Sequence, residues 1–118
     1  MTEKQKAQSP IFIKTYDFLL WLIPLTLKFP KSQRFLLAER TGQLALDFYE
    51  LILEAAFTRL ESIKFFTEAD LLLQKIRLYL RLSFDLKCIS IGQYEFATKS
   101  LDEIGRLLGG WKAKMSRQ

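Results

Sequence analysis

The sequence predicts an all-α protein, an antiparallel four-helix bundle. Three observations carry that prediction. Apolar residues recur three and four positions apart through four separate segments, the spacing of an amphipathic helix. No segment alternates apolar and polar residues as a half-buried strand does. The joins between segments are short, which favours antiparallel neighbours. The chain has 118 residues, of which 49% are hydrophobic and 14% aromatic. That is the size of one domain with one core.

Residues 1–9 are polar and read as a mobile lead-in, 10–111 as the bundle, and 112–118 as a basic tail. Helix 1 is expected from about Pro10 to Lys28. Ser9 is placed to cap it, and Pro10 sits where a missing N–H costs nothing. Phe12, Tyr16, Leu19, Leu20 and Ile23 form its apolar stripe. Pro24 should kink its last turn, and Phe29-Pro30 ends it. Helix 2 is expected from Ser32 to about Thr58, with Leu37, Leu44, Phe48, Leu51 and Ala55 on one face. Gly42 inside it costs about 1 kcal/mol relative to alanine, and close approach of a neighbouring helix is the expected compensation.

Helix 3 is expected from Thr67, where T-E-A-D supplies a cap and first-turn acids, to about Lys87. Leu60, Ile63, Phe65 and Phe66 then belong to the preceding connection, either folded over the end of the bundle or exposed as a docking surface. Helix 4 starts at Ser90 with the capping-box pattern S-I-G-Q. Tyr94, Ala97, Leu101, Ile104 and Leu108 make its stripe, and Gly109-Gly110 should stop it through a left-handed exit. Trp111 then either folds back as an end plug or offers a face for base stacking.

Helix 3 has no polar face, because Leu71, Leu72, Leu73, Ile76, Leu78, Tyr79, Leu80, Leu82, Phe84 and Leu86 surround it. Phe18–Leu27 makes helix 1 similar. A monomer would expose more contiguous apolar surface than soluble proteins tolerate, so self-association is expected. The same run is about ten residues against the ~20 that cross a bilayer. The first residues have no apolar segment of the secretory kind. A cytoplasmic protein that does not use the membrane is expected.

The residue inventory narrows the function. There is no histidine and one cysteine, Cys88. Zinc and haem sites built on those ligands are excluded, as are Ser-His and Cys-His catalysis. No phosphate-binding glycine motif occurs. A non-enzymatic protein without a cofactor is expected. The formal charge is +5 and the pI about 9.4, which favours polyanionic partners.

The candidate polyanion contacts are Arg77 and Arg81, Lys31 and Arg34, and Arg106, Lys112 and Lys114. Arg77 and Arg81 are four apart and share a helix face. They either pair with Asp47, Glu50 and Glu54 of helix 2 or meet phosphates, which suit the guanidinium fork. Lys28 joins Lys31 and Arg34 around the first turn. The C-terminal cations are either a solvated helix end or a surface that tracks phosphates.

Six blocks occur in order along the chain: P-I-F-I-K-T-Y-D-F-L-L-W-L-I-P, K-F-P-K-S-Q-R-F-L-L-A, A-L-D-F-Y-E-L-I-L-E-A, R-L-Y-L-R-L-S-F-D-L, G-Q-Y-E and E-I-G-R-L-L-G-G-W. Together they resemble the accessory variability determinant (Avd) proteins of diversity-generating retroelements. That family lies within a wider group of four-helix bundles that includes ribosomal RNA intervening-sequence proteins. The resemblance spans about Pro10–Trp111. It implies a homopentameric barrel of four-helix bundles that binds the retroelement's reverse transcriptase and nucleic acid, RNA first, with RNA/DNA hybrid or DNA as further candidates. It also implies a supporting role in mutagenic cDNA synthesis and retrohoming. Arg77 and Arg81 match the family's R-x-Y-L-R-L block, Arg34 its S-Q-R-F block and Arg106 its I-G-R-L block. The connection L-E-S-I-K-F-F is less basic than the family leads one to expect, which favours protein docking there over RNA contact. The alternative is an RNA- or protein-binding module of the intervening-sequence type, unrelated to a retroelement.

Overall fold

The computed structural model describes residues 9–59 and 61–116. Four α-helices account for most of them: α1 (Pro10–Thr26), α2 (Glu39–Thr58), α3 (Ile63–Asp85) and α4 (Ile91–Ser116). Each helix packs on two neighbours in the cycle α1–α2–α3–α4–α1, so α1 faces α3 diagonally and α2 faces α4. The result is an antiparallel four-helix bundle with extents of 47 × 23 × 22 Å. Its core is one continuous cluster, with Leu22, Ile52, Leu80 and Ile104 at most 1% exposed.

Helix α1 begins with Pro10 at its first position, as expected, and ends at Thr26 rather than Lys28. Thr26 Oγ1 donates to the Ile23 carbonyl at 2.8 Å, and the amides of Lys28 and Phe29 bond back to Leu25 and Thr26. These bonds draw Phe29 fully inside. The buried face of α1 is Ile11, Phe12, Thr15, Phe18, Leu19, Leu22 and Leu25. Tyr16, Leu20 and Ile23, expected in the stripe, are exposed. In a helix this apolar, spacing does not say which side faces inward.

The chain from Ser32 is not a simple helix start. Lys31–Gln33 forms a 3-10 turn and Arg34–Ala38 a π-helical turn before α2 proper. Ser32 supplies no cap. The wider turn points Phe35 and Leu36 outward, 84% and 73% exposed, while Leu37 and Ala38 enter the core. Gly42 has no close neighbour: a Cβ there would meet nothing within 4 Å. The expected helix contact is therefore absent within the described chain. Helix α2 ends where Arg59 takes a left-handed conformation (φ 56°) and its amide bonds to Ala55.

Helix α3 starts at Ile63, four residues before Thr67. Ser62 caps it, its oxygen accepting from the Phe65 amide at 3.1 Å. Burial of Phe65 and Phe66 holds this extra turn in place. Those two residues are thus core, Ile63 is exposed, and Leu60 lies outside the described residues. The helix ends at Asp85 rather than Lys87. Lys87 turns left-handed (φ 64°) and the Cys88 amide reaches back to the Ser83 carbonyl at 2.8 Å.

The capping box at Ser90 forms as the sequence indicates. The Gln93 amide donates to Ser90 Oγ at 3.1 Å, and the Ser90 amide donates to Gln93 Oε1 at 2.8 Å. Helix α4 does not stop at Gly109-Gly110. It runs on to Ser116, with neither glycine at positive φ. Trp111 and Met115 continue the stripe of Leu108 at steps of three and four, and both pack on the core. That packing outweighs the two glycines, about 1 kcal/mol each. Residues 112–116 of the expected tail are helical, and Arg117 lies outside the described residues.

Candidate nucleic-acid interface

Arg77 does not face the acids of α2. It lies on the flank of α3 that meets α4, where its Nη1 is 3.0 Å from Asp102 Oδ1 and the guanidinium passes over Gly105. Arg81 bonds within its own helix, its Nε donating to both oxygens of Asp85 at 3.1 and 3.2 Å. That hydrogen bond and the charge of Asp85 raise the guanidinium pKa further above its ordinary value. Of the two options the sequence left open, pairing with Asp47, Glu50 or Glu54 does not occur, and Asp102 and Asp85 are the partners instead. The shared face of two residues four apart does not say which neighbouring helix it meets.

A second pair joins α4 to its other neighbour: Lys14 Nζ lies 3.1 Å from Glu103 Oε2. The adjacent acids of α4 thus grip one helix each, Asp102 on α3 and Glu103 on α1. This leaves the remaining charges of α4 unbalanced. Lys99, Arg106, Lys112 and Lys114 have no ion partner among the described residues.

Two of these cations meet in one place. Arg106 and Lys114 line an open groove of about 800 Å³ at the Pro10 end of the bundle. Arg59, brought there by the left-handed exit from α2, is the third cation. Glu61 is the acid among the lining residues, and Phe12, Leu107, Trp111 and Met115 supply apolar walls. Lys112, on a different face of α4, is exposed outside the groove. Arg59 was not a candidate from sequence, although the expected end of helix 2 at Thr58 would have placed it at a helix terminus.

Lys31 and Arg34 lie beyond the far end of α1, in the 3-10 and π turns, exposed and without ion partners among the described residues. The adjacent exposed Phe35 and Leu36 were not singled out in the sequence either. The seven candidates therefore fall into separate places: a seam on α3, the groove at one end with Lys112 nearby, and the first turn at the other.

Trp111 is the end plug. Its ring lies 5.1 Å from Phe65 and 5.6 Å from Phe66, both edge-on, and 6.5 Å from Phe12. Tyr94 stacks on Phe84 at 5.0 Å. Cys88 is half-buried in the α3–α4 turn, where burial pushes its thiol pKa up and so lowers its reactivity. No cluster of metal-ligating side chains occurs among the described residues, and no described helix is long and apolar enough to cross a membrane. A protein-family model described as bAvd-like matches residues 11–115. No curated protein matches the chain.

Proposed function

The chain belongs to the bAvd-like family, and from that premise we propose that it is a non-enzymatic, cytoplasmic accessory protein of a diversity-generating retroelement. In this reading it assembles as a homopentamer, binds the reverse transcriptase and the template RNA, and holds them together for mutagenic cDNA synthesis and retrohoming. Joining two partners on one scaffold raises their effective concentration. The observation that carries the reading is the family match across nearly the whole chain.

Two physical features support its finer parts. Outward apolar residues remain on diagonally opposite helices: Ile13, Tyr16 and Leu20 on α1, and Leu71, Leu78 and Leu82 on α3. One head-to-tail contact, α1 of one copy against α3 of the next, covers both at once, and a rotation that closes makes of it the ring of this reading. A twofold contact would need two different interfaces to do the same. The charge supports a polyanion. Lys31, Arg34 and Lys112 are exposed and lack ion partners among the described residues. We assign phosphate contact to these three first, with Arg77 and Arg81 secondary because each already has an acid. Phosphate contacts supply affinity with little base reading.

Light scattering should give a particle near five times the 13.9 kDa chain. Template-RNA binding should weaken steeply as salt rises, and Lys31→Ala with Arg34→Ala should lower both affinity and salt slope. A monomeric mass, or an RNA affinity flat across salt, overturns these parts. Co-purification with a reverse transcriptase encoded next to this gene tests the role itself. A gene with no such neighbour returns the protein to the wider group of four-helix-bundle binding modules.

A further inference from the structure

The groove at the Pro10 end plays no part in the reading above, and its chemistry differs from that of the other charged surfaces. We propose that it is the docking site for an acidic peptide segment of a partner protein. Large apolar side chains of the segment seat beside Trp111, and its carboxylates meet Arg59, Arg106 and Lys114.

Charge selects the occupant. Among the described residues, three cations line the groove against one acid, Glu61. The excess is built in by the fold, because Asp102 and Glu103, the nearest acids along α4, are engaged by Arg77 and Lys14 on the neighbouring helices. The N-terminus of α1 at Pro10 and Ile11 and the C-terminus of α2 at Arg59 both border the groove, so their dipoles offset and the side-chain charges set its sign.

The walls favour protein over nucleic acid. A volume of about 800 Å³ lies within the ordinary range of ligand clefts, and Phe12, Leu107 and Met115 give it an apolar lining. Apolar anchors with flanking charges are how grooves of this kind hold amphipathic helices. A base needs an aromatic face to stack on, whereas Trp111 is already engaged by three phenylalanines. The chain's own first eight residues carry two lysines and one glutamate, and so do not complement the cations.

Gly110 gives a clean way to close the groove. It lines the wall, and a Cβ there would meet nothing within 4 Å, so Gly110→Leu places bulk in the groove without displacing the core. The probe is a short fluorescein-labelled peptide with glutamates and leucines at helical spacing, followed by anisotropy against the full chain. Saturable binding is expected. It should be lost in Gly110→Leu and weakened about tenfold or more by Arg106→Glu with Lys114→Glu. The same peptide with lysines in place of glutamates should not bind, and polyuridylate should not compete. Helicity and melting of both variants confirm that they fold. No binding of the acidic peptide, or equal binding by folded Gly110→Leu, overturns the proposal. Displacement by polyuridylate assigns the groove to nucleic acid and overturns it too. The outcome is independent of the retroelement reading, since no polymerase or template RNA enters the measurement.

Discussion

At the Pro10 end, Trp111 of α4 meets Phe12 of α1 and Phe65 and Phe66 of α3, so aromatic rings from three helices lock together. At the opposite end the α1–α2 half is open. Phe29 is inside, but Phe35 and Leu36 of the π turn lie in water. The α3–α4 half of that same end is closed by the Ser90–Gln93 box and the Phe84–Tyr94 stack. Both ends carry large apolar residues next to cations, yet one set is core and the other is surface. Proximity of aromatic and basic residues in sequence therefore does not distinguish a plug from an exposed surface. Contact with a third helix does.

The largest expected effect tests that contrast directly. Trp111→Ala should cost about 3 kcal/mol in urea unfolding, as large-to-small aromatic changes in cores do. Phe35→Ser with Leu36→Ser should shift the stability of the single chain by no more than about 0.5 kcal/mol. Similar losses of chain stability for the two variants would erase the distinction between the ends.

Next in size are the glycines beside the plug. Gly109→Ala with Gly110→Ala should raise stability by about 1–2 kcal/mol, because both are helical and neither added Cβ meets a neighbour. A fall in the melting temperature would restore the helix stop that Gly-Gly suggested. The smallest effect compares the caps. Ser90→Ala breaks a reciprocal box and should cost about 1 kcal/mol. Ser62→Ala removes a single bond and should cost somewhat less. The reverse order, read by thermal melting, would make the Ser62 turn the better anchored of the two.

Most of the fold was legible because its signals are local. Pro10 at the start of α1 and the box at Ser90 each depend on residues within one turn. The stripe from Ala97 to Leu108 is set by helical period. Among the features that were not legible, three show why. The first turn of α3 forms because Phe65 and Phe66 find the core, which their own neighbourhood does not encode. Helix α4 crosses Gly109-Gly110 because Trp111 is held by residues 45 or more positions away in the chain. In the candidate interface, Arg106 and Lys114 were identified but their grouping was not: they join Arg59, which ends α2 on the diagonal of the bundle from α4.

By itself the sequence determined a basic four-helix bundle, its helical class, the capping box at Ser90 and the absence of histidine-based chemistry. Those properties follow from composition and from interactions three or four residues apart. Tertiary structure alone decided which side of an all-apolar helix is buried, and which cations are neutralised. Arg77 looks the same in the sequence whether it faces α2 or α4. Only the packing of helices turned it toward Asp102, and so left the groove's three cations without an ion pair among the described residues.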